Sequence, residues 1–224
     1  PAGRRCLATM LSVGTTFHSV ADARTEAALV GPNAVIQLAA ALRAATREST
    51  TEHVFARAGA LRMLRVPPDG MVDESVPARL FAALWHELSP QQASAIAYDA
   101  GRRTGVYVMT NRIPAMARAT LRGLPARWAA PLLLRAISRH AWTFAGSGIC
   151  SAWPGRPAVV TIIRNPLTMP GCTWHVGVFE ALFRTLVDAR TRVRHLACRV
   201  AGAPTDRFEI DVSGSPVQAN HPSS

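Results

Sequence analysis

The sequence predicts an α+β fold: a helical layer packed on a small, mostly antiparallel sheet, in a single domain. Three observations carry that prediction. Across residues 31–140, apolar residues recur three and four positions apart, the spacing of one face of a helix. Beyond His140 this period gives way to short β-branched runs bounded by proline, asparagine and glycine. A 224-residue chain that is 49% hydrophobic and 17% charged also has the length and composition to bury one sizeable core.

Pro32 and Asn33 open a helix whose Val35, Leu38, Ala39 and Leu42 share a face. A second short helix is expected to carry Val54, Phe55, Ala58 and Leu61, and a third Val76, Leu80, Leu84 and Leu88. Ser89, Pro90 and Gln92 then supply an N-cap, a first-turn proline and a capping-box partner for a long helix through Ala93, Ala97, Ala100, Thr104 and Val108. Pro114 and Pro125 divide the next stretch of chain into two shorter helices, the second ending near His140, because proline lacks the N–H a helix interior needs. Gly146-Ser147-Gly148 reads as a tight turn between helix and strand, leading through Ile149 and Cys150 into a Trp-Pro loop. Residues 158–164 (AVVTIIR) read as a strand closed by an Asn165-Pro166 turn. Residues 173–188 return to helix, with Trp174, Val178, Leu182 and Leu186 on one stripe and Phe179, Phe183 and Val187 beside it, an apolar face wide enough to imply burial. Residues 192–200 and 207–212 predict an antiparallel hairpin turned at Gly202-Ala203-Pro204. The folded unit is therefore expected at residues 29–212. Residues 1–28 show no sustained period and are expected to be disordered or to precede the true start, for which Met10 is a candidate; residues 213–224, rich in Ser, Pro, Asn and Gln, are expected to form a flexible tail.

The formal charge of +11 would ordinarily point to nucleic acid or an anionic membrane. All 25 basic residues are arginine, and they are spread out, those from Arg43 to Arg127 falling in successive helical segments, with no aromatic-interleaved basic patch or groove-reading motif, so nucleic acid is not expected as a partner. Carboxylate-bearing ligands and an anionic membrane surface stay open. The most apolar segment, residues 124–137, is interrupted by Arg127 and Arg135 and falls short of the about 20 apolar residues a spanning helix needs. With four widely spaced cysteines (Cys6, Cys150, Cys172, Cys198) and no secretory signal pattern, a reduced cytoplasmic protein is expected, peripheral contact with the inner membrane being the alternative.

Three sets of residues are candidates for chemistry. A nicotinamide or flavin enzyme would carry a glycine-rich turn between a strand and a helix, and an iron-sulfur protein closely spaced cysteines; neither pattern is present, so any redox chemistry would need electrons from a partner. Cys172, His195, Cys198 and Asp206 are all residue types that ligate zinc, and together they would pin the start of a helix to the hairpin, although buried cysteines are as readily small core residues. Finally, His140, Trp142 and Phe144 at the helix-to-strand junction, with Trp174 and His175 at the next helix start, have the makings of an apolar, imidazole-bearing pocket. Such a pocket suits a flat tetrapyrrole whose central Mg²⁺ accepts a nitrogen; the alternative is a set of core residues.

The segments GPNAVIQLAAALR (31–43), VFARAG (54–59), PPDGMVDE (67–74), NRIP (111–114), RHAWTFAGSG (139–148), NPL (165–167) and CTWHVGVFEALFR (172–184) together resemble the BchJ family of bacteriochlorophyll-synthesis proteins, over about residues 30–212. That resemblance implies a vinyl-reductase-type ligand-binding domain, similar in fold to vesicle-tethering complex subunits and to the sensor domains of aromatic-responsive transcription activators. It implies binding of a Mg-porphyrin or divinyl protochlorophyllide-type intermediate, and either reduction of its 8-vinyl group (position 4 in the older numbering) or non-catalytic carriage of the pigment. A scaffold role docking on other pathway enzymes, or a homodimer, is the further alternative. In the sensor relatives zinc is held by a cysteine, an acid, a second cysteine three residues on and a third eight beyond it. Here Cys172 and Cys198 match the first two cysteines, while His195 stands for the acid and Asp206 for the third cysteine.

Overall fold

The computed structural model describes residues 28–212, so the expectations for both ends of the chain lie outside the described residues. The elements run β1 (Leu29–Val30), α1 (Asn33–Ala45), α2 (Glu48–Arg57), α3 (Leu61–Arg65), β2 (Val72–Asp73), α4 (Ser75–Glu87), α5 (Pro90–Asn111), α6 (Ala115–Gly123), α7 (Ala126–Arg139), α8 (Trp142–Ala145), β3 (Ile149–Trp153), β4 (Ala158–Ile163), α9 (Thr173–Leu186), β5 (Arg192–Ala197) and β6 (Thr205–Asp211). This is the expected single-domain α+β architecture. Four strands form an antiparallel sheet in the order β3-β4-β6-β5, so the hairpin β5–β6 closes with β6 inside and β5 on the edge.

The helix starts follow the local chemistry. The Ser89 hydroxyl accepts from the Gln92 amide while the Gln92 side chain receives the Ser89 N–H, and Pro90 fills the first turn of α5. Pro114 and Pro125 stand immediately before α6 and α7. The helix expected over Val54 to Leu61 is in fact two, because Gly59 takes φ +67°, a left-handed conformation that ends α2 before α3 begins. Two strand features are additional to the sequence reading. β1, just before the stretch expected to be helical, pairs with β2, inside it, in a two-residue ribbon, and Ile149–Trp153, expected to lead into a loop, is the edge strand β3.

Helix α5 lies between α1 and α9, and α9 lies between α5 and the sheet. The α5–α9 contact is unusually close. A Cβ on Gly101 would stand 2.0 Å from the Trp174 carbonyl oxygen, and one on Gly177 would stand 2.3 Å from that of Tyr98, so the two backbones approach where only hydrogen fits. On the other side of α9, Val160 and Ile162 of β4, Phe208 and Ile210 of β6 and Val193 of β5 point inward and are buried. The seam fixes where the first turn of α9 sits over the sheet, and the candidate site is built there.

Candidate metal centre

The alternation of β6 that turns Phe208 and Ile210 into the core also turns in Asp206, two residues before Phe208 on the same face, and buries it completely. An ionised carboxylate removed from water needs partners. Asp206 has three: the Arg199 amide donates to Oδ1 at 2.9 Å, the Asn165 side-chain amide to Oδ2 at 2.9 Å, and the Thr168 hydroxyl to Oδ1 at 3.3 Å. Burial alone would raise its pKa, but the His195 imidazole beside it, the Arg199 and Asn165 amides and the Cys172 thiol outweigh burial and hold the carboxyl well below the usual range.

Residues 165–172 wrap this carboxylate. Asn165 is buried, its Oδ1 accepting from the Leu167 amide at 3.0 Å, and Leu167 and Met169 anchor the loop in the core. The Arg199 guanidinium holds the loop from outside through the Asn165 carbonyl at 3.1 Å. The loop ends on Cys172, the N-cap of α9, whose backbone sits in the left-handed region at φ 43°, ψ 38°. A cysteine there costs about 1–2 kcal/mol of backbone strain and is tolerated where surrounding structure fixes it. Its thiol is buried, which pushes it far toward the protonated form, and lies 3.9 Å from the Thr168 hydroxyl. From the other side, β5 delivers His195, stacked on Phe208 with ring centroids 4.9 Å apart. An irregularity between His195 and Ala197 then turns the chain so that Cys198 faces the same point, its thiol donating to the Met169 carbonyl at 3.6 Å.

The outcome is a convergence of four side chains from three places in the chain. One ligand atom each from Cys172, His195, Cys198 and Asp206 lies within 4.8 Å of all the others. A tetrahedral ion held by sulfur at about 2.3 Å and nitrogen or oxygen at about 2.0–2.1 Å would bring such atoms to roughly 3.3–3.8 Å apart, a contraction of about 1 Å. The donor set fits: His195 Nε2 is buried without a hydrogen-bond partner, standing 3.4 Å from Asp206 Oδ1 in poor alignment, and is free to face an ion. The four residues singled out from sequence are thus brought together and can hold a metal ion. Asn165, Thr168 and Arg199, which hold the carboxylate, were not singled out; the Asn-Pro turn was the only signal for the first.

The candidate ligand-binding residues divide. Phe144, Trp174 and His175 meet in one aromatic cluster with Phe179 and Phe208, the His175 ring 4.9 Å from Trp174 and 5.6 Å from Phe208. His175 is fully buried, and burial pushes its pKa down to about 4, Asp206 opposing and His195 adding to the shift, so the ring is neutral. Neither imidazole nitrogen has a hydrogen-bond partner, nor do the buried Thr173 hydroxyl and Trp174 indole nitrogen beside it. His140 lies apart, exposed at the C-terminal end of α7; Trp142 lies in α8, its side chain outside the described set.

No family model matches the chain. It is 40% identical over 187 residues to the bacteriochlorophyll synthase 23 kDa chain of Cereibacter sphaeroides, covering 81% of this chain and 89% of that one. It is 37% identical over 183 residues to the protein of the same name from Rhodobacter capsulatus, covering 78% of this chain and 84% of that one. A solved structure described as "Probing the function of heme distortion in the H-NOX family" superposes with a TM-score of 0.54 over 87% of this chain and all of that one, at 12% identity, a likeness of fold alone. On identity sustained over four-fifths of its length, the chain belongs to the family of the bacteriochlorophyll synthase 23 kDa chains.

Proposed function

We propose that the chain serves bacteriochlorophyll synthesis by binding a Mg-porphyrin or divinyl protochlorophyllide-type intermediate, as a vinyl-reductase-type domain that holds the pigment without catalysing reduction by itself. The observation that carries this reading is kinship with chains named for bacteriochlorophyll synthase. The geometry supports it at His175, a neutral imidazole with both nitrogens unpartnered, set among aromatic rings between α9 and the sheet. A buried polar group left unpaired costs about 1–3 kcal/mol, and coordination to a pigment metal would offset that cost. Phe144, half-buried, marks the end of the cluster nearest solvent. Titrating the protein with divinyl protochlorophyllide is expected to shift the pigment's absorption bands at micromolar concentration, and His175→Ala to abolish the shift while a Mg-free pigment binds both proteins alike. An unchanged spectrum with the wild-type protein sinks the reading. Conversion of divinyl to monovinyl pigment by the protein with NADPH alone would replace it with independent catalysis.

The ion this reading places at Cys172, His195, Cys198 and Asp206 is zinc, since two thiolates, an imidazole and a carboxylate are its ordinary ligands. Four protein ligands leave no open position, so its role is structural: it joins the loop before α9 to the β5–β6 hairpin beneath the pigment cluster. The relatives' name, a chain of a synthase, favours a second reading, a subunit that docks on other pathway enzymes. Loss of pigment flux without accumulation of divinyl product in a deletion strain fits carriage or docking, whereas accumulated divinyl pigment fits reduction.

A further inference from the structure

Between Asp99 and Glu180 the sequence contains no acidic residue. Residues 100–179 hold ten arginines and no carboxylate side chain, so +10 of the formal +11 lies in this stretch. Arg102 and Arg103 turn back to Asp99. The remaining eight, from Arg112 to Arg164, fall on α6, α7, the β3–β4 hairpin and their flanks, and among the described residues the ion pairs of other arginines lie elsewhere: Arg43–Glu48, Arg57–Glu87, Arg184–Glu180, Arg190–Asp188 and Arg194–Glu209.

The same stretch exposes large apolar side chains. Met116 of α6 is 83% exposed, Trp128 and Leu132 of α7 are 60% and 52%, and Trp153 at the end of β3 is 53%. Helix α7 is divided lengthwise: Ala129, Ala130, Leu133, Leu134 and Ile137 are buried, whereas Trp128 and Leu132, one turn apart, face water with Arg127, Arg135 and Arg139 beside them. Between α7 and the β3–β4 turn runs a groove of about 330 Å³ lined by Arg127, Pro131, Leu134, Pro154, Gly155 and Arg156. Arg127 lines it from α7 and Arg156 from the turn, and the exposed Trp128 and Trp153 each adjoin a lining residue in the chain, Trp128 next to Arg127 and Trp153 next to Pro154.

Soluble surfaces normally intersperse both signs of charge and scatter their apolar residues, and a contiguous face that does neither is an interaction surface. Two such faces of like sign repel, which disfavours a second copy as occupant. A phosphate backbone has nothing to offer Met116 and Leu132. Tryptophan and arginine together are the side chains suited to a lipid headgroup layer, the indole lying at the polar–apolar boundary and the arginine stem alongside apolar groups with its guanidinium at the phosphates. No described helix is long and apolar enough to cross a membrane, so contact would be peripheral. We propose that α6, α7 and the β3–β4 turn form a docking face for an anionic lipid bilayer, with Trp128 and Trp153 seated at headgroup depth. The inference stands on charge and exposure and is independent of pigment binding.

The test is sedimentation of the full chain with vesicles of phosphatidylcholine alone and with added phosphatidylglycerol, without pigment. Binding is expected only to the anionic vesicles and is released by raised salt. Each basic residue near such a surface strengthens partitioning several-fold, so the Arg127→Glu, Arg156→Glu double variant loses at least about tenfold. The Trp128→Ala, Trp153→Ala variant is expected to lose a similar factor, and since both side chains are exposed its circular dichroism and melting temperature should match the parent. Failure to bind anionic vesicles at low salt overturns the proposal, as does undiminished binding by both variants or equal binding to neutral vesicles. A dimer in sedimentation velocity that the tryptophan variant converts to monomer, with no vesicle binding, assigns the face to self-association instead.

Discussion

Helix α9 touches two regions within a few residues of each other, and they are held by opposite means. Along its side, the seam with α5 is held chiefly by shape: Gly101 and Gly177 let the backbones meet, and the Tyr98 hydroxyl donates to the Glu180 carboxylate at the flank of that contact. At its start, the corner around Cys172 is held by directional polar contacts, with a buried carboxylate fixed by three donors and two sulfurs and an imidazole gathered beside it. A seam of this kind specifies how two elements lie together but offers a ligand nothing. A corner of this kind is costly to bury unless every group finds a partner, so the unpartnered groups in and beside it, His195 Nε2 and the His175 nitrogens, mark where a ligand would act.

The largest effect that separates the two regions is expected from metal. If zinc occupies the corner at about a thousand times its dissociation constant, it contributes about 4 kcal/mol. Elemental analysis of purified protein is expected to give one zinc per chain, and a chelator to lower the melting temperature. Cys198→Ala should remove both the metal and the chelator's effect. A metal-free protein indifferent to chelator would make the corner a polar packing cluster only.

Next is the seam. Alanine at an ordinary helix position is about 1 kcal/mol better than glycine. At position 101 the sign reverses, because the added methyl meets the Trp174 backbone and not a flexible side-chain end. Gly101→Ala is expected to cost about 3 kcal/mol, or about 6–12 °C in melting temperature. Gly123→Ala, where an added Cβ meets nothing within 4 Å, is the comparison and should be neutral or slightly stabilising. Equal melting temperatures for the two would show that the helices can part at little cost.

Acid should find the corner and spare the seam. His175 ionises near 6.5 in an unfolded chain but only near 4 when buried, so the folded state binds fewer protons between these values. Its contribution to stability is whole above about pH 6.5 and is lost as pH falls toward 4, up to roughly 3 kcal/mol. Asp206, held low by its donors, adds loss in the same direction at lower pH. Urea midpoints measured from pH 7 to pH 4 should therefore fall, and fall less in His175→Phe; a flat profile in the wild type would mean that the imidazole reaches water.

How far each region can be read from sequence depends on the range of the forces involved. The cap at Ser89, the prolines before α6 and α7 and the β-branched run of β4 are local signals, and the structure follows them. The four convergent side chains could be picked out because their residue types are scarce and the hairpin brings residues 195–206 back on themselves. The glycine seam could not, since Gly101 and Gly177 look like weak points in two separate helices until those helices touch. β3 is a sheet edge with residues half-exposed on both faces, so it lacks the alternation that marks a strand. His140 and His175 looked alike in sequence, yet one caps a helix in water and the other lies in the core, because burial depends on which helix face meets the sheet.

The smallest effect tests whether the seam depends on how its helix begins. The Ser89 hydroxyl and Gln92 side chain satisfy amides at an exposed helix end, where water can replace them, so Ser89→Ala is expected to cost only about 1 kcal/mol. That loss should add to the Gly101→Ala loss, because the cap lies three turns from Gly101 on the same helix and the two share no partner. Additivity in the double variant, read from urea midpoints with unchanged slope, would mean that α5 forms on its own signals and the seam then selects its partner. A double variant losing clearly more than the sum would mean that the first turn of α5 is held in place by its packing on α9, which would make the seam the origin of local order as well as its consequence.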